Sequence, residues 1–76
     1  MQFTEKELAF LRIVCGSEHR HVTQDYVCER LVADEVITPD EFKQIKKKLL
    51  YSGVIGVVYG NITIEDESVI NQVLET

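Results

Sequence analysis

Tryptophan is absent from this 76-residue chain, which holds only one proline, one methionine and four glycines. So few backbone breakers exclude collagen-like, proline-rich and low-complexity disordered classes. No apolar run approaches the ~20 residues a membrane-spanning helix needs, and no export signal opens the chain. The expected compartment is therefore the cytoplasm. There, two cysteines, Cys15 and Cys28, are expected as free thiols. Basic residues are scarce as well: eight Lys and Arg face thirteen Asp and Glu, for a net charge of −5. The overall basic footprint of a general nucleic-acid binder is missing. Also missing are a Ser-His-Asp ordering, a glycine-rich phosphate loop and a His-Glu zinc motif. A domain this small rarely builds a closed pocket, so neither an enzyme nor a cofactor is expected.

What the chain does have is strong punctuation around Thr38–Gly53, TPDEFKQIKKKLLYSG. Thr38 is a good helix N-cap, Pro39 takes the first helical position, and Glu41 stands three residues after the cap. Gly53 can close the C-terminus in a left-handed conformation. At about 100° per residue, Phe42, Ile45 and Leu49 share one face. Lys43, Gln44, Lys47, Lys48 and Tyr51 fall on the other side. Lys46 lies beside Phe42 and Leu50, where its stem can run along apolar surface. Half of the chain's basic residues sit on this helix, and none follows Lys48.

The segment Phe3–Gly16 is punctuated in the same way. Thr4 caps, Glu7 completes a capping box, and Phe3 can staple onto Leu8. Leu8, Leu11 and Cys15 form one stripe, while Phe10, Ile13 and Val14 lie elsewhere on the wheel. This helix is either covered on two sides or meets a partner. Ser17–Val22 reads as a polar connection. Thr23 then caps a helix over roughly Gln24–Asp34, with Val27, Cys28 and Leu31 facing inward and Glu29, Arg30 and Asp34 solvated. Its short link to the Thr38 cap makes a helix-turn-helix candidate.

After Gly53 the period becomes strand-like. Val54–Tyr59 and Ile62–Ile64 flank Gly60-Asn61, a two-residue turn signal. Pairing Tyr59 with Ile62 puts Val57, Tyr59, Ile62 and Ile64 on one face. Asp66 caps a last short helix, Ser68–Leu74, whose Val69, Ile70, Val73 and Leu74 are apolar. The expected fold class is α+β, in the order α-α-α-β-β-α with a two-stranded antiparallel hairpin. One domain spans 1–76, with core helices and hairpin in 1–65 and the C-terminal helix in 66–76.

This order and size of elements resembles a winged helix-turn-helix domain. Thr38–Ser52 is similar to its recognition helix and Val54–Glu65 to its wing. The resemblance covers nearly the whole chain and rests on pattern. It implies a small regulator that binds duplex DNA, with Lys43, Gln44, Lys47, Lys48 and Tyr51 on the reading face. Lysines neutralise phosphates and Gln can bond an adenine edge twice. The alternative is an acidic protein-interaction module on the same scaffold, such as a phage or host inhibitor. Its observable basis is the net charge and a turn, Gly60-Asn61, without Lys or Arg.

Two further constellations have a bland and a sharp reading. Phe10, Ile13, Val14, Val69, Ile70, Val73 and Leu74 exceed what one small domain is expected to bury, so they are the expected interface of a homodimer. Cys15, His19, His21 and Cys28 could supply a Cys2His2 zinc set. Their spacing matches no familiar finger, and both cysteines fall on inward stripes where a thiol acts as a small hydrophobe, so no metal is expected. The acidic runs at Glu5, Glu7 and Glu65–Glu67 mostly complement helix N-termini; their alternative reading is a negative surface for a basic partner, or mimicry of nucleic acid.

Overall fold

The computed structural model describes residues 3–17 and 21–75, except the side chains of His21 and Glu75. Helix α1 covers Glu5–Cys15, strand β1 His21–Thr23, helix α2 Gln24–Ala33 and helix α3 Pro39–Tyr51. Strands β2, Ile55–Val58, and β3, Asn61–Ile64, follow, and helix α4 spans Ser68–Glu75. The architecture is α+β, as the pattern predicted. Among the described residues no helix is long and apolar enough to cross a membrane.

Threonines start three of the helices. The Glu7 backbone N–H donates to Thr4 Oγ1 at 3.2 Å, and the Thr4 N–H donates back to Glu7 Oε1 at 2.9 Å. Thr38 and Glu41 repeat this reciprocal box at 3.2 and 3.0 Å. Thr23 Oγ1 accepts from Tyr26 N–H. At the other end of α3, Gly53 takes φ +79° and two crossed bonds close the helix. Val54 N–H reaches Leu49 C=O and Gly53 N–H reaches Leu50 C=O, each at 3.1 Å. That is a Schellman closure. Helix α2 ends through the same pair of bonds, Val36 to Leu31 and Glu35 to Val32, but its left-handed residue is Glu35 at φ +58°.

Strand β1 corrects the expected two-stranded hairpin: three strands form one antiparallel sheet in the order β1-β3-β2. His21, Val22 and Thr23 pair with Thr63, Ile62 and Asn61. Three residues with one apolar member carry no readable period, and their order comes from the free edge of a strand forty residues away. The hairpin register is corrected too. Val57, not Tyr59, lies opposite Ile62, and Val58 lies opposite Asn61. The turn is Tyr59-Gly60, with φ +51° and +78°, the positive pair of a type I′ turn. Glycine therefore takes the second loop position instead of the first. The shift is two residues along the ladder, so the inward face is kept. Ile55, Val57, Ile62 and Ile64 share it, while Tyr59 leaves the sheet.

Helix α1 crosses the middle of the molecule, touching α2, α4, β1 and β3. Phe10, Leu11 and Val14 lose all solvent contact, and Phe10 stacks on Phe42 of α3 with ring centroids 5.5 Å apart. Val69 and Val73 of α4 close the core on another side.

Candidate functional site

Helix α3 has an inner face, an outer ridge and two flanks that are tied down. Phe42 and Leu49 are buried, and Ile45 is half-buried beside them. Lys43, Gln44, Lys47 and Tyr51 form the outer ridge, all exposed, with Tyr51 at 82 %. The Lys47 ammonium stands 5.9 Å from the Tyr51 ring centroid, within cation–π range. Among the described residues Lys43 makes no ion pair.

One flank is joined to α1. Lys6 pairs with Glu41, and Lys48 Nζ lies 2.9 Å from Glu7 Oε2. The second pair is uneven: the Lys48 side chain is 68 % exposed and that of Glu7 only 4 %. Burial opposes ionisation of Glu7, but the Thr4 backbone N–H and the Lys48 ammonium outweigh it and hold its pKa below the usual glutamate value. The Lys6 ammonium, helped by the Thr38 N–H, likewise lowers the pKa of Glu41. Glu7 thus does more than cap α1. It takes up the charge of Lys48, so this lysine, placed by its sequence position on the reading face, brings no free charge to the ridge.

The other flank is joined to α2 and the hairpin. Lys46 Nζ donates to Gln24 Oε1 at 3.0 Å and sits 5.9 Å from the Phe42 ring centroid. Its stem runs along apolar surface, as its wheel position predicted. The Gln24 backbone N–H in turn donates to Gly60 C=O at 2.9 Å. The start of α2, the hairpin turn and α3 are therefore linked side by side. At that turn Tyr59 is 99 % exposed, next to an exposed Val58. The sequence reading missed Tyr59 as a surface residue because it placed it in the ladder; the Gly after it was the available signal.

The expected dimer interface needs correction. Phe10, Val14, Val69 and Val73 are buried within the single chain. Two apolar helix faces that each lacked a partner on the wheel, those of α1 and α4, are partners of each other. Of the expected set only Ile13 and Ile70, half-buried, and Leu74, exposed, keep surface for a second copy. In the Cys/His set, Cys15 is buried and Cys28 half-buried, neither of them in a disulfide, whereas His19 and the His21 side chain lie outside the described residues. Among the described residues no three His, Cys, Asp or Glu side chains are grouped to hold a metal ion.

Chemically, the ridge offers two ammonium groups, a primary amide that donates and accepts, and a phenol. No protein-family model, curated protein or solved structure matches the chain.

Proposed function

We propose that the chain is a small winged helix-like regulator that binds duplex DNA through the outer ridge of α3. One observation carries this reading. Lys43, Gln44, Lys47 and Tyr51 stand exposed on one side of a helix whose flanks are fixed to α1, α2 and the hairpin. A rigid ridge of this kind can enter a groove without reordering side chains beneath it. Lys43 and Lys47 would neutralise phosphates, Tyr51 would donate to a phosphate oxygen, and Gln44 would bond a base edge. With Lys48 paired to Glu7 and a net charge of −5, few phosphates are neutralised. Affinity is accordingly modest and strongly dependent on salt.

Titration of a random-sequence duplex at low and moderate salt tests this. Each of Lys43→Ala and Lys47→Ala should flatten the slope of log affinity against log salt by about 0.9. Gln44→Ala should cost on the order of 1–3 kcal/mol on a preferred site and little elsewhere. No binding even at low salt, or binding indifferent to Lys47→Glu, rules the reading out.

That outcome would favour the second reading, a protein-interaction surface. Its own support is the fully exposed Tyr59 at the hairpin turn, together with Val58, Leu50 and Tyr51. Exposed tyrosines are frequent anchors of protein interfaces.

A further inference from the structure

Helices α3 and α4 each carry an exposed strip, and the two strips are complementary in charge. On α3, Lys43, Lys47 and Leu50 recur at helical spacing, with Tyr51 beside Lys47. All four are exposed, Leu50 at 39 % and Tyr51 at 82 %, so apolar area lies next to the two ammonium groups. On α4 the first turn opens with Glu67, whose C=O accepts from Ile70 N–H at 3.1 Å. Glu67, Ile70 and Leu74 stand three and four residues apart and share one side of the helix. Glu67 is exposed, Leu74 is 55 % exposed and Ile70 is half-buried. Val69 and Val73 of the same helix are buried in the core.

The two strips also have the same layout. Each starts with a charge and ends with an exposed leucine seven residues on, Lys43 to Leu50 and Glu67 to Leu74. Seven helical residues rise about 10.5 Å in both. Laid side by side in parallel, Lys43 and Lys47 meet Glu67 while Leu50 and Tyr51 meet Ile70 and Leu74. The charges on both strips are available: among the described residues Lys43, Lys47 and Glu67 make no ion pair. Within the chain α4 is packed on α1, which leaves its outer strip open.

We infer that the α3 ridge docks the outer strip of α4 on a second copy of this chain. Ile70 and Leu74 of one copy close over Leu50 and the Tyr51 ring of the other, and Glu67 pairs with the ridge lysines. Each copy carries a net charge of −5. At about 0.15 M salt the repulsion between copies fades beyond about 8 Å, so the local pairing decides. A ridge docked in this way is closed to a duplex, so self-association and DNA binding exclude each other. Only that consequence rests on the DNA reading; the docking itself does not.

Sedimentation of the whole chain at rising concentration near 0.15 M salt tests the contact. The average mass of the wild type should climb above that of a monomer. Amide 1H–15N signals of Lys47, Leu50, Tyr51, Ile70 and Leu74 should shift with concentration. Lys47→Glu spoils the ridge and Leu74→Lys spoils the strip. Both positions are exposed, so far-UV circular dichroism should stay that of the wild type. Each variant alone should raise the self-association Kd about tenfold or more. Mixed, they should form a one-to-one complex, because the first keeps an intact strip and the second an intact ridge. No arm of this test contains DNA, so its result is separate from that of the duplex titration. A wild type that stays monomeric up to about 1 mM, association that survives both variants, or a mixture that remains two monomers would overturn the assignment.

Discussion

Replacing Glu7 should weaken the fold and strengthen the α3 ridge at the same time. Its carboxylate accepts from Thr4 N–H at 2.9 Å through one oxygen and meets Lys48 at 2.9 Å through the other, while almost wholly buried. Glu7→Gln keeps the volume and the cap contact and loses the charge. The loss is the charge-assisted part of two hydrogen bonds, about 1 kcal/mol. Lys48 is mostly exposed, so the full penalty of a broken buried ion pair does not apply. Glu7→Ala also removes the cap partner and leaves a void between α1 and α3, for a cost of about 2–3 kcal/mol. In a domain of this size 1 kcal/mol shifts Tm by about 4–8 °C. Thermal melts at neutral pH should therefore place Glu7→Gln about 5 °C below the wild type and Glu7→Ala at least twice as far.

The pH dependence fixes the cause. Glu7 has a folded pKa below its unfolded value, so its contribution is complete above the ordinary glutamate pKa of about 4.3. It is lost as pH falls through the lower folded value. The gap between wild type and Glu7→Gln should thus be constant from pH 7 to about 5 and close below about 4. In the same variant Lys48 regains a free charge, and the salt slope for DNA should steepen by about 0.9. Equal melting temperatures at pH 7, or a gap that survives acidification, would refute the account of Glu7 as a buried, ionised partner of Lys48.

Two backbone positions give gains instead of losses. Glu35 holds φ +58° at the end of α2 where glycine is preferred, so Glu35→Gly should raise Tm by a few degrees; unchanged or lower stability in melts would show that the left-handed turn is not strained. Tyr59 holds φ +51° in the first loop position of a type I′ turn and makes no use of its ring in packing. Tyr59→Asn should therefore stabilise the hairpin by about 1 kcal/mol in denaturant titrations, and destabilisation would mean that the ring is held by something other than solvent.

The local signals in the sequence were legible because they act over three or four residues. Thr4 with Glu7, Thr38 with Pro39 and Glu41, and Gly53 each state a helix end in full. Long-range facts left little trace. Strand β1 is ordered by β3, and Lys48 meets a carboxylate forty-one positions earlier. Helical periodicity showed that α1 is apolar nearly all round, but not that α4 covers the surplus. The hairpin register failed for a different reason. Gly60-Asn61 and Tyr59-Gly60 are both two-residue loops, and the choice between them depends on which position gains more from glycine.

The four lysines of α3 show why a charge run cannot be read as a binding surface by counting. All four carry the same formal charge, yet their neighbours divide them. Lys46 bonds Gln24 and lies over Phe42, Lys48 balances a buried carboxylate, and only Lys43 and Lys47 stand on the ridge. The two committed lysines anchor α3 to α2 and α1, so removing either should cost stability before it costs affinity. Among the described residues the two ridge lysines make no comparable contact with another helix, and their removal should leave the unfolding free energy within about 0.5 kcal/mol of the wild type. Stability and binding measured on the same four alanine variants would then fall into two classes, Lys46 and Lys48 against Lys43 and Lys47. A single class, with all four lysines affecting both quantities alike, would mean that the flanks and the ridge are one surface and that the division drawn from the side-chain contacts is wrong.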